Sequence, residues 1–192
     1  MPVPRYALWS SAAAPVLLIG GWTLAAALQR GGFDALHETI SALAATDADH
    51  RWVMTLALLG VGVCHVVTAR GLAPLARPAR VMLGAGGVAT VLVAAFPLPA
   101  GGRSAPHQAA ATVAFACLAL WPALWRPAGS GPVRPPVRVM VPAALVLAVL
   151  VLLFAVALGT GVLVGLAERL AAGAQAVWPL VTVLLLRRVT RR

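Results

Sequence analysis

The chain has 192 residues, of which 61% are hydrophobic and only 10% charged, with a mean hydropathy of +0.92. Soluble domains carry about 25% charged residues, so this composition excludes an ordinary soluble enzyme or binding domain and points to a membrane protein. All fifteen basic residues are arginine, but they punctuate apolar runs instead of gathering on one soluble face, so the net charge of +10 does not mark a nucleic-acid binder.

A helix needs about 20 apolar residues to cross a bilayer core. Six runs qualify, at 7–28, 52–69, 81–97, 108–125, 139–158 and 170–186, and they predict an all-α, multi-pass bundle forming a single membrane domain over 1–192. The first run is longer than the ~7 to 15 apolar residues of a signal sequence and is expected to be a retained span. The connections at 70–80, 98–106 and 126–138 are too short for a soluble domain. Cys64 and Cys117 fall inside apolar runs and form neither a disulfide framework nor a zinc pattern.

Arginine near span ends stays on the cytoplasmic side. Arg30, Arg51, Arg103 and Arg169 lie at one set of ends and the other eleven of the fifteen, including Arg134, Arg138, Arg191 and Arg192, at the opposite set, which predicts both termini in the cytoplasm. All five acidic residues, Asp34, Glu38, Asp47, Asp49 and Glu168, then fall on the outer side. The expected location is the cell membrane.

Between the first two runs, Phe33, Leu36, Ile40 and Leu43 recur every three or four residues, with Asp34, His37, Glu38 and Ser41 on another face. This predicts an amphipathic helix over about 33–45 at the outer interface. Thr46 followed by Asp49 has the form of a helix N-cap, and Asp47 and Asp49 read as capping residues for the second span.

His37-Glu38-x-x-Ser41 lacks the second histidine of the zinc-protease helix, so a zinc site would need His107, Glu168 or Asp47 as well. The alternative is a solvated interfacial face. Glu168 is expected to open the sixth span, with Gln175 two turns further along its face. Ala171, Ala172, Gly173 and Ala174 between them, and Ala109, Ala110, Ala111 and Ala114 below His107, suggest that the fourth and sixth spans pack closely and bring His107 towards Glu168. Pro179 frees the carbonyl of Gln175 and is expected to kink the helix. Glu168-Arg169 reads equally as an interfacial ion pair and as a functional charge in the membrane. His65 reads as a histidine hydrogen-bonded to a neighbouring helix, and Gly84, Gly86 and Gly87 with Ala89 and Ala94 as a close-packing face.

Ile40-Ser41-x-Leu43, Arg51-Trp52, Phe96-Pro97, His107 and Gly165-Leu166-x-Glu168-Arg169 resemble the small six-span prokaryotic membrane proteins grouped as DUF998, a family with no activity to carry over. The stretch after the first span is similar to Frag1/DRAM/Sfk1-type proteins, which are linked to lipid handling. It is more distantly similar to the ceramidase and progestin-receptor superfamily, whose members hold zinc in seven spans.

The sequence thus predicts an outward-opening polar pocket lined by His37, Glu38, Ser41, His107, Glu168, Arg169 and Gln175. Its leading reading is a non-catalytic module, without cofactor, that binds a lipid headgroup or a membrane protein partner. The competing reading is a metal-assisted hydrolase of lipid or cell-envelope substrates, with zinc on His37, Glu38, His107 and Glu168. Transport comes third, because no span carries a chain of charges.

Overall fold

The computed structural model describes residues 3–126 and 137–189. Arg134, Arg191 and Arg192, three of the arginines that orient the chain, lie outside the described residues. Among the described residues six helices are long and apolar enough to cross a membrane: α1 (Arg5–Ala27), α2 (Trp52–Gly71), α3 (Arg77–Ala95), α4 (Ala105–Leu120, continued by a 3-10 turn at Trp121–Leu124), α5 (Val137–Thr160) and α6 (Val164–Val189). The chain is a multi-pass membrane protein, all-α among the described residues.

Each helix packs on the next in the chain, and α6 returns against α1 to close the ring. Within a bilayer, apolar side chains gain little from leaving lipid, so close packing of small residues holds such helices together. Gly62 of α2 and Gly87 of α3 show this directly. A Cβ on Gly62 would sit 2.5 Å from the Gly87 carbonyl oxygen, and one on Gly87 would sit 2.7 Å from that of Gly62. Gly86 gives Leu118 of α4 the same access. The outer face of α5 is unlike these contacts: Leu145, Val149, Leu152 and Val156 stand exposed on one stripe, as suits a surface turned to lipid chains.

The interior divides into two apolar clusters. One, around Leu18, Ile40, Leu43, Met54, Leu58 and Val93, lies under the connection between α1 and α2. The other gathers Leu72, Leu83, Trp121, Met140, Val183 and Leu186 towards the opposite end.

The 33–45 connection departs from the amphipathic helix its spacing predicts. It is a series of turns followed by a short 3-10 helix at Ser41–Ala44. An α-helix would need these backbone groups for its own ladder, and here they are used elsewhere. The Asp34 carboxylate takes the amides of Leu36 and His37, while the carbonyls of Ala35, Leu36 and Glu38 accept from α6.

Two helix starts also differ from expectation. Helix α2 begins at Trp52 with no side-chain cap. Asp49 instead accepts from the Arg30 amide, and its own amide and carbonyl pair with the Gln29 side chain, so it ties the end of α1 to the connection. Helix α6 begins at Val164, six residues before the predicted span, after a tight turn with Gly161 and Leu163 at positive φ. Glu168 therefore lies inside the helix, more than a turn from its start, and the helix continues through Pro179.

Candidate functional site

Glu168 is 5% exposed, and the 33–45 connection is folded over it. Its Oε2 accepts from the Ile40 amide at 2.5 Å, and Oε1 faces the Ser41 hydroxyl at 3.4 Å. Ser41 Oγ in turn lies 3.2 Å from Nε2 of His107, and His107 Nδ1 lies 2.8 Å from the Phe96 carbonyl oxygen. Local structure sets each group. Ser104 accepts from the His107 amide at the start of α4, placing that ring against the end of α3. The 3-10 turn lowers Ser41 between α4 and α6. His107 and Glu168 do meet, but across Ser41 and not through the small helix faces that suggested it.

Proton counting constrains this chain of bonds. A carbonyl oxygen only accepts, so His107 Nδ1 carries a proton. Ser41 has a single proton to give. Two arrangements satisfy every member: an ionised Glu168 accepting from Ser41, which accepts from a doubly protonated His107; or a protonated Glu168 donating to Ser41, which donates to Nε2. They differ only in where two protons sit along this chain of bonds.

Arg169 secures the same connection from beside Glu168. Its Nη1 lies 2.8 Å from the Ala35 and Gly165 carbonyl oxygens and 2.9 Å from that of Glu38. Its guanidinium carbon is 5.4 Å from the Phe33 ring centre and 6.0 Å from that of Trp22. Glycine at 165 is a steric requirement here, because a Cβ would strike the carbonyl oxygens of Ala35 and Glu38. The Leu166 amide completes the seam by donating to the Leu36 carbonyl.

The remaining predicted residues separate. Gln175 is buried, and its Nε2 donates to the Phe115 carbonyl of α4 at 2.9 Å. It lines a cavity of about 60 Å³ together with Ser41 and Glu168. His37 is exposed and pairs with Asp34 at 2.8 Å, a bond that holds the Asp34 carboxyl below its ordinary pKa, with the Leu36 amide adding to the effect. Glu38 accepts from the Asp34 amide and borders a surface groove of about 370 Å³ with Gln29, Phe33 and Asp47. His37, Glu38, His107 and Glu168 are thus not one group, and among the described residues no three His, Cys, Asp or Glu side chains come together as metal ligands.

Four of the five stretches that suggested a family resemblance converge on this seam: Ile40-Ser41, Phe96, His107 and Gly165 through Arg169. The family model for "Protein of unknown function (DUF998)" matches residues 11–185. The chain belongs to the DUF998 family. No curated protein and no solved structure matches it. In this DUF998 chain the two ring nitrogens of the buried His65 have no hydrogen-bond partner among the described residues, contrary to the interhelical bond expected of it. Its only sequence signal was a titratable side chain within an apolar run.

Proposed function

We propose that the protein is a non-catalytic membrane module that binds a lipid headgroup at the end of the bundle carrying the 28–51 and 96–104 connections. On the arginine asymmetry this end faces outward, with both termini in the cytoplasm of a cell membrane. The observation that carries the reading is the use made of the membrane-embedded charges. Charges at this depth are functional by default, but Glu168 Oε2 and Arg169 Nη1 are both committed to backbone groups of one connection. They hold a surface in place.

That surface contains the groove bordered by Glu38 and Asp47, two carboxylates beside the Phe33 ring and the 98–102 segment. Among the described residues no basic side chain lines it. Carboxylates next to an aromatic ring suit an ammonium group, so the favoured ligand is a zwitterionic lipid with an amine headgroup. Native mass spectrometry of the detergent-solubilised protein with mixed phosphatidylethanolamine and phosphatidylglycerol tests this. Preferential retention of the amine lipid, lost when Glu38→Gln and Asp47→Asn are combined, supports the reading; equal retention of both lipids contradicts it.

One observation favours a second reading, a hydrolase acting on acyl esters. Ser41, His107 and the Phe96 carbonyl stand in the order nucleophile, base and orienting acceptor. Covalent labelling of Ser41 by a fluorophosphonate, abolished in His107→Ala, would favour it over the binding module.

A further inference from the structure

Below Ser41 and Glu168 a cavity continues between α1, α2, α3, α4 and α6 as far as His65. His65 is 1% exposed, and both Nδ1 and Nε2 lack a partner among the described residues. An imidazole always has at least one N–H to donate, and in its neutral form one lone pair to fill. Leaving both unmet inside a bilayer is costly, because lipid chains offer nothing in exchange. The cavity wall carries unused capacity for such bonds. Thr90 donates to the Gly86 carbonyl and keeps its lone pairs, and Gln175 donates to Phe115 and keeps its Oε1. A volume of about 60 Å³ exceeds the ~10 to 15 Å³ that one water needs.

We propose that this cavity is a hydrated proton-binding site within the membrane-spanning bundle, where His65 and Glu168 exchange a proton through water held between them. The transfer breaks the O–H bond of a protonated Glu168, passes the proton along hydrogen-bonded water and forms an N–H bond on His65. The carboxylate is left negative and the imidazolium positive, and the chain of bonds through Ser41 and His107 resupplies Glu168. Around the cavity that His65 lines, α1 presents Leu18, α3 Thr90, α4 Phe115 and Leu118, and α6 Gln175 and Glu168, so among the described residues Glu168 is the other titratable side chain lining it. Arg169, next in sequence, is turned to the 33–45 connection, and Cys64, beside His65 on α2, is not among the lining residues. This site does not depend on the groove ligand proposed above.

The test uses the full chain in lipid nanodiscs with isotope-labelled histidine rings, the four histidines being assigned by single substitution. A His65 ring proton in magnetisation exchange with water, together with a His65 titration midpoint that moves by about half a pH unit or more in Glu168→Gln, is the expected result. A His65 ring with no water exchange, or a midpoint unchanged in a folded Glu168→Gln variant, overturns the proposal. If Glu168→Gln does not fold, Gln175→Leu replaces it, since it removes a polar wall group without touching the connection. Roughly tenfold weaker water exchange at His65 is then expected, and unchanged exchange overturns the proposal.

Discussion

Glu168 and Ile40 are 128 positions apart in the chain, yet the carboxylate of one accepts the backbone amide of the other. The bond sets the path of the connection, because a buried amide must find an acceptor and α6 supplies one where the 33–45 segment turns inward. Substitution of Glu168 should therefore act on that segment as well as on overall stability. Glu168→Ala leaves the Ile40 amide and the Ser41 hydroxyl without their acceptor and should cost on the order of 3 kcal/mol, whereas Glu168→Gln, which keeps an accepting oxygen, should cost less. Thermal unfolding of both variants in detergent gives the comparison, and an Ala variant melting with the parent would show that the carboxylate is dispensable.

Gly165→Ala should loosen the same seam sterically. Its Cβ meets two backbone carbonyls, which cannot rotate away as a side chain would. The expected loss is about 1 to 3 kcal/mol, accompanied by faster proteolysis between Gly32 and Leu43. Gly20→Ala, where a Cβ meets nothing within 4 Å, is the control and should melt close to the parent.

Asp34 and His37 offer a pH dependence with a defined sign. The Asp34 carboxyl is held below its ordinary value, so this pair favours the folded connection above the unfolded carboxyl value and loses that support as pH falls through the folded one. His37→Ala should return the Asp34 titration towards normal, read from its carboxyl carbon resonance. Because both side chains are solvated, the variant should leave the melting temperature nearly unchanged.

The orientation has its own check. Thr46 is exposed on the connection, and a cysteine there, with Cys64 and Cys117 replaced by alanine, should react with an impermeant thiol reagent on intact cells. Reaction only after lysis would reverse the orientation and place the groove in the cytoplasm.

The six spans were legible because a run of about 20 apolar residues has few other uses. So was the Gly86–Gly87 packing face, since small residues in such a run signal a close neighbour. The connection was not, although its residues were singled out. Phe33, Leu36, Ile40 and Leu43 do have helical spacing, but spacing records where apolar side chains fall and not which acceptors compete for the backbone. Arg169 and Glu168, more than a hundred positions away, won that competition. Asp49 was misread for a related reason: a carboxylate just before a helix caps it only when no nearer amide is open, and Arg30 provides one. His65 looked like a residue with an interhelical partner because sequence does not reveal a cavity.

The most direct test of the account is the exchange rate of the Ile40 amide hydrogen. If the buried Glu168 carboxylate holds the connection onto the bundle, this amide should be among the slowest outside the helices. In Glu168→Ala it should exchange about a hundredfold faster, which corresponds to roughly 3 kcal/mol of lost local protection, while His37→Ala leaves it unchanged. An Ile40 amide that exchanges in the parent protein as fast as its exposed neighbours, or at the same rate in Glu168→Ala, would contradict the account.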